Sequence, residues 1–398
     1  GDAGGYETEV LWDTCTTIAL GKPFEEVAAR PVATLSGGEQ KRLALEVLLR
    51  SDAEILLLDE PDNFLDIQGK RWLEARLRDS PRTILYVSHD RTLLARTAQK
   101  VVTIEAEGSW THHDGFETYA EARSLRLARI EEEQRRFAEE KQRLTAALVE
   151  FKRRAAISDK FASTAEAMEK RLDRFVRDGA PRRRAREQRI RMNLEGGRTG
   201  SLVLKLVDFA LPGLVQTFST EIYFGERVGV VGPNGAGKSH FLRLLAGENI
   251  EHTGGWRLGA RVRPALFSQM HDRPDLDGAP ILSVLLDEGI ERSRAMSSLK
   301  RYELQAVADV PFSLLSGGQQ ARFQLLAIEL TTPTMLLLDE PTDNLDVDSA
   351  EALEAGLDAY EGTVVAVTHD RWFMQQLDRF LLFERDGTVH TLLEPPYS

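Results

Sequence analysis

Eight residues of this chain have the types and spacing of a phosphate cradle. Gly232, Pro233, Asn234, Gly235, Ala236, Gly237, Lys238 and Ser239 fit the pattern G-x-x-x-x-G-K-S. They lie between an apolar stretch ending at Val231 and a helical one starting near Lys238, the context the pattern requires. The glycines let successive backbone N–H groups converge on an anion, Lys238 neutralises the β and γ groups of a nucleotide, and the Ser239 hydroxyl can ligate Mg²⁺. Asp339 and Glu340 end the apolar run from Met335 to Leu338, where two adjacent carboxylates need a cation or a polarised water beside them. Asp339 is assigned to Mg²⁺, directly or through water, and Glu340 to orienting or deprotonating the attacking water. His369 follows another apolar run and by the same logic can hydrogen-bond a γ-phosphate.

Four blocks of this chemistry occur twice, always 280 residues apart. LSGGEQ at Leu35–Gln40 returns as LSGGQQ at Leu315–Gln320, LLLDEP at Leu56–Pro61 returns at Leu336–Pro341, Asp66 returns as Asp346, and Ser88–Asp90 returns as Thr368–Asp370. One offset implies one ancestral unit, copied. Asp59, Glu60 and His89 are therefore the counterparts of Asp339, Glu340 and His369. A lone histidine is usually structural, and this recurrence argues for a role. Ser36, Gly37 and Gly38, like Ser316, Gly317 and Gly318, precede helical stretches (Lys41–Arg50 and Ala321–Leu330), so a helix N-terminus faces an anion. Neither can serve its own phosphate loop. The cradle itself occurs once, because its partner would precede Gly1, so the first copy is expected to be partial. Opening on Gly1 rather than Met, the chain reads as a fragment, a processed form or a sequence missing its start.

The elements that position these residues follow from apolar runs ending in polar residues: strands at Glu54–Asp59, Thr83–Ser88, Arg227–Val231, Thr334–Asp339 and Thr363–Thr368. Short, continuously apolar strands alternating with helices indicate an α/β fold with a largely parallel sheet covered on both faces, and its chemistry at the strands' carboxyl ends. With 398 residues there is room for two domains and a connector. The expected division is 1–116, a partial first domain; 117–198, a helical hairpin; and 199–398, a complete second domain. In the second arm of the hairpin, Phe161, Ala165, Met168, Leu172 and Phe175 recur at spacings of 4, 3, 4 and 3, a coiled-coil seam. The first arm places Ile130, Phe137, Leu144 and Phe151 seven apart, interrupted at Gln134 and Lys141. A helix from Glu121 to Ala155 would be about 50 Å long, with Ile157–Lys160 near the tip.

Charge separates the segments. The chain carries −12 overall, yet residues 121–200 hold 22 Lys or Arg against 14 Asp or Glu, leaving −20 for the remainder. A basic insert between acidic bodies suits a polyanion. The run Pro181–Arg191 reads either as a solvated tether or as a phosphate-binding segment. No apolar run approaches the roughly 20 residues a bilayer requires, so the chain is expected to be soluble. Cys15 is the sole cysteine, which excludes a disulfide framework and a thiolate metal site, fits a reducing cytoplasm and reads as packing.

Cradle, LSGG signature, paired carboxylates and histidine together resemble the ABC ATPase family, whose domains pair head to tail so that one copy's signature completes the other's phosphate site. The resemblance implies ATP and Mg²⁺ as cofactors. It makes Gln269, in the run LFSQ, the Q-loop glutamine and a further Mg²⁺ ligand beside Ser239 and Asp339. Asp346 matches the D-loop aspartate. Phe209 is either the adenine-stacking aromatic or a core residue. Two such domains joined by a charged hairpin, with no membrane span, resemble the ABC-F class. That implies a cytoplasmic ATPase that binds the ribosome when closed on ATP and reaches with residues 121–195 toward rRNA, the P-site tRNA and the peptidyl transferase centre. Members of the class tune translation or protect ribosomes from antibiotics. The chain has DEPDNFLD (Asp59–Asp66) and DEPTDNLD (Asp339–Asp346) where the class usually has DEPTNHLD.

The two composite sites are then unequal. One combines the cradle, Gln269, Asp339, Glu340 and His369 with Ser36, Gly37 and Gly38. The other has Asp59, Glu60, His89 and Ser316 to Gly318 without a cradle in this chain, and is expected not to bind nucleotide tightly. The energising subunit of a membrane transporter would share every nucleotide motif, but the basic hairpin argues against it. A DNA-maintenance ATPase would be expected to carry zinc cysteines and a far longer coiled coil.

Overall fold

Met335–Asp339 and Thr363–Val367 are buried at every position, which demands protein on both faces of their sheet. The computed structural model describes residues 3–105, 108–181, 190–268, 276 and 278–396, and it provides both layers. The six-stranded sheet runs in the order Val389–Leu392, Arg379–Phe383, Arg227–Val231, Thr363–Val367, Met335–Asp339, Pro264–Phe267. Its last five strands are parallel and the Val389–Leu392 edge is antiparallel. Alternate residues of the central strands enter opposite layers, as the two-residue period of a strand dictates. Leu336, Leu338, Val364 and Ala366 pack with Ala321, Leu325 and Ile328 of the helix Gly317–Thr331. Met335, Leu337, Val365 and Val367 pack with Phe241 and Leu244 of the helix Lys238–Leu245. The same layer takes Val203 and Ile222 from an antiparallel sheet ordered Val215–Tyr223, Leu202–Leu211, Thr253–Leu258. This is the α/β architecture expected from the apolar runs.

The first copy repeats the register. Ile55–Asp59 pairs in parallel with Thr83–Val87, Ile55 opposite Thr83 and Asp59 opposite Val87; 280 residues on, Met335 lies opposite Thr363 and Asp339 opposite Val367. Its sheet departs from the expectation of two covered faces. Leu58 is buried with Leu45, Leu73 and Leu93, whereas Ile55, Leu57, Leu85 and Val87 are 63, 73, 56 and 55 % exposed. Their counterparts are Met335, Leu337, Val365 and Val367, covered in the second copy by the helix after the cradle and by the antiparallel sheet. Those covering elements have no counterpart among the described residues of the first copy. Cys15 packs with Ala19, Leu35 and Leu43, fully buried.

Both copies belong to one compact unit, residues 1–97 with 188–398, while Ala98–Glu187 forms a second. The second unit starts before residue 117 because the antiparallel pair Val101–Glu105 and Gly108–His112 is tied to the long helix Tyr119–Ala155: Thr103 Oγ1 lies 2.8 Å from Tyr119 Oη, and Arg126 donates to both Glu105 carboxylate oxygens at 2.6 and 2.9 Å. It ends before residue 198 because Ile190 and Leu194 are buried in the second copy's core. The long helix has 37 residues, about 55 Å at 1.5 Å per residue. The returning helix Ala162–Gly179 keeps only Ala165, Met168, Leu172 and Phe175 from full exposure, the residues of the seam. Phe137 and Phe175 stack at 4.8 Å between ring centroids, and Lys152 reaches Glu169 at 2.7 Å. Lys152, Arg153 and Arg154 close the long helix, with Lys160 just beyond. Among the described residues no helix is long and apolar enough to cross a membrane.

Candidate functional site

The strand Arg227–Val231 delivers the chain into the cradle, and two glycines there are required by shape. At Gly232 a Cβ would lie 2.1 Å from the Phe383 carbonyl oxygen, and Gly237 caps the following helix at φ +89°, a left-handed conformation that L side chains rarely adopt. Lys238 is buried and donates from Nζ to the carbonyl oxygens of Gly232 (2.8 Å) and Pro233 (2.9 Å). Burial pushes its pKa down against the opposing pull of Glu340, Asp339 and Asp66.

Asp339 and Glu340 lie at the end of their strand, 3 and 6 % exposed. Burial raises the Asp339 carboxyl, opposed by a hydrogen bond from Ser239 and by the charges of Lys238 and Arg243. Asp339 Oδ1 is buried without a hydrogen-bond partner, beside the one hydroxyl that the cradle pattern assigns to a cation. That orphaned oxygen fits a hard divalent ion. No three His, Cys, Asp or Glu gather to hold a metal alone among the described residues, so Mg²⁺ here would fill its oxygen shell from phosphate and water.

Glu340 adopts φ +47°, a strained conformation for a side-chain-bearing residue that recurs in Glu60 at φ +43°. Its Oε2 accepts the His369 backbone N–H at 2.9 Å, and Oε1 lies 3.4 Å from His369 Nε2. Burial, with Asp343 and Asp339 adding repulsion, pushes its carboxyl up to about 8, although Lys238 and the His369 N–H pull it down. Burial also holds the His369 imidazole well below its usual range, aided by Lys238 and by Lys70 of the other copy. The ring therefore faces the cleft neutral.

The cleft is shared. Gly235, Lys238, Ser239, Asp339, Glu340 and His369 line it together with Ser36, Gly37 and Gly38 of the first copy, around about 490 Å³. Ser36 caps the helix Gly37–Arg50 reciprocally with Glu39: Ser36 N–H donates to the carboxylate at 2.9 Å and Glu39 N–H donates to Ser36 Oγ at 3.3 Å. Asn234 joins the copies, since Nδ2 donates to the Phe64 carbonyl oxygen at 3.1 Å while Oδ1 lies 3.2 Å from His369 Nε2. Ser316 caps the second signature helix in the same way with Gln319. Glu60 and His89 differ from their counterparts. They lie 3.4 Å apart with 38 and 42 % of their side chains exposed, against 6 and 8 % for Glu340 and His369. Asp59 is likewise exposed where Asp339 is buried.

Phe209 is a core residue, not an adenine platform. It is fully buried and packs on Phe218, Phe241 and His252, because it lies on the inner face of the strand Leu202–Leu211. Gln269 and residues 182–189 of the basic run lie outside the described residues. Sequence reasoning passed over the ionic contacts between the copies, Arg91 with Glu354 and Arg371 with Glu74, and the buried pair of Lys70 with Asp90 beside them. The signal for the first two was present, because Arg91 and Arg371, like Glu74 and Glu354, are 280 residues apart.

The ABC transporter family model matches residues 11–63 and 215–343. The chain is 48 % identical over its full length to an antibiotic resistance protein of Mycobacteroides abscessus, of which it covers 76 %. It is 34 % identical, over 92 % of its length, to ABC transporter F family member 5 of Arabidopsis thaliana, and 31 % identical, over 88 %, to the energy-dependent translational throttle protein EttA of Mycobacterium tuberculosis. It spans 53 and 63 % of those two proteins.

Proposed function

The chain belongs to the ABC-F family of ATP-binding cassette proteins, a family of ATP-hydrolysing enzymes, and on that premise we propose that it is a cytoplasmic, ribosome-associated ATPase whose two copies close around ATP. The observation that carries this reading is the shared cleft, where Ser36, Gly37 and Gly38 face the cradle of the other copy. Lys238, released from the Gly232 and Pro233 carbonyls, binds the β and γ phosphates. The N–H groups of the cradle and of the Gly37–Arg50 helix N-terminus hold the remaining phosphate oxygens from opposite sides. Ser239 and Asp339 would hold Mg²⁺, which when bound screens the phosphate charge. Glu340, in its ionised form, orients the attacking water and accepts its proton. His369, neutral, turns its one N–H from Asn234 Oδ1 to the γ-phosphate when nucleotide is bound. Glu60 and His89, counterparts of Glu340 and His369, are open to solvent.

The names of two relatives, one concerned with antibiotic resistance and one with translation, support the ribosome as partner. So does the gathering of Lys152, Arg153, Arg154 and Lys160 at the hairpin tip, which suits a phosphate-rich surface. In this reading the closed, ATP-bound form inserts the hairpin toward the P-site tRNA and peptidyl transferase centre, and hydrolysis releases it. Glu340→Gln, combined with Glu60→Gln, should trap ATP-dependent co-sedimentation with ribosomes. Removing the hairpin between residues 123 and 178, which leaves Ile190 and Leu194 in the core, should abolish it. Co-sedimentation unchanged by ATP would overturn the reading.

A further inference from the structure

Three departures from the 280-residue repeat line the same cleft as Glu340. Lys70 has Ala350 as its counterpart, Asp62 has Thr342, and Asp343 has Asn63, so each charge belongs to one copy alone. All three line the shared cleft, with Asp90 and Asp370. Lys70 is 6 % exposed, on the buried face of the helix Ile67–Asp79, and its Nζ lies 3.0 Å from Asp90 Oδ2. Asp90 is fixed in turn by the Leu93 N–H at 2.8 Å, and Asp62 accepts from Ser88 Oγ at 2.7 Å. Burial alone would lower the Lys70 pKa, but Asp90, then Asp343, Asp62 and Asp370, raise it above the ordinary value. Asp343 and Asp370 come from the second copy. Two further cations edge the group: Arg371 acts on Asp90, and Arg91 lies 3.9 Å from Asp370.

A lysine buried without partners would lose its proton or unfold its surroundings. Here it is the cation that lets aspartates of both copies approach. Asp343 follows Glu340 by three residues, on the turn that leads to Asp346, and its backbone N–H donates to the Glu340 carbonyl oxygen at 3.3 Å. Separation of the copies would leave Asp343 and Asp370 without Lys70.

We propose that Lys70 is a positioning residue acting in trans: held by Asp90 in the first copy, its ammonium attracts, across the cleft that both line, the Asp343-bearing turn of the second, so that Glu340 is set for hydrolysis only when the copies are docked. This rests on the shared cleft being the ATP site. It assigns a role to Asp62 and Asp343, by which the chain departs from the usual family motif, and makes the site at the cradle dependent on a charge from the other copy.

The test is a double-mutant cycle on the full 398-residue chain, with kcat and KM for MgATP as readouts and circular dichroism as the check on folding. Lys70→Met should lower kcat by about tenfold and move KM by less than about twofold. Asp343→Asn alone should also lower kcat, and adding it to Lys70→Met should recover about threefold or more, because the stranded carboxylate is removed. Independent, multiplying effects, or a change in KM with kcat intact, would overturn the proposal. If Lys70→Met fails to fold with Asp90 left unpaired, Asp343→Asn at its exposed position decides: a lowered kcat supports the role and an unchanged one sinks it. Gly37→Arg separates the two levels. If it abolishes hydrolysis while the cycle shows no coupling, Lys70 alone is wrongly assigned; if it changes nothing, the shared cleft itself is.

Discussion

Arg91 of the first copy grips Glu354 of the second, with Nη1 donating to Oε2 at 3.1 Å and Nη2 to Oε1. The relationship is reciprocal, since Arg371 and Glu74, their counterparts across the 280-residue offset, form the same pair in the opposite sense. All four residues are at most 8 % exposed. A contact in which residue i of one copy meets residue j of the other, and j meets i, is the signature of a two-fold interface. Here it lies within one chain, across the cleft in which Ser36, Gly37 and Gly38 face the cradle of the other copy.

Removing one member of such a pair strands a buried charge. Arg91→Met should cost about 3–5 kcal/mol, read as a lowered urea midpoint. Arg91→Met combined with Glu354→Met should recover most of that. Equal losses in single and double variants would mean that the pair does not hold the interface.

The room left at each signature makes a graded expectation for the two glycines. A Cβ on Gly38 would lie 2.9 Å from the Phe64 carbonyl oxygen, backbone that cannot give way, whereas one on Gly318 would lie 3.3 Å from the Asn344 oxygen. Gly38→Ala should therefore reduce ATP turnover by up to about a hundredfold, and Gly318→Ala by clearly less. The reverse order, in steady-state assays, would contradict the tighter seat of Gly38 against the Phe64 backbone.

Buried charge also sets a pH dependence. Glu340 holds its proton up to about 8 in the fold but near its ordinary value of 4.5 when unfolded. Between those values the folded state binds more protons, so rising pH weakens it, by at most about 1.4 kcal/mol per unit. His369, whose pKa is depressed by burial and then by Lys238 and Lys70, acts at the other end, costing stability as pH falls below its ordinary 6.5. Glu340→Gln removes the first effect and leaves most of the second. Its melting temperature should gain on the parent's between about pH 5 and about pH 8, and a constant difference would contradict the raised carboxyl.

Much of this was legible in the sequence because the chain states it twice. The constant offset carried the strand register from Ile55 opposite Thr83 to Met335 opposite Thr363, and it marked Glu60 and His89 as copies of Glu340 and His369. It could not mark Lys70, whose counterpart is Ala350, because a charge that serves one interface has no reason to recur. Phe209 was ambiguous for a different reason. An aromatic in a strand reads alike whether it faces a ligand or the core, and only the layer above it, here Phe218 and Phe241, decides.

The central claim is that a serine about two hundred residues from the cradle completes its ATP site. Single-turnover hydrolysis by the Ser36→Arg chain tests it most directly, with MgATP binding measured alongside. The rate should fall by about a hundredfold while affinity changes only a few-fold. Hydrolysis at the parent's rate, with binding intact, would contradict a shared site.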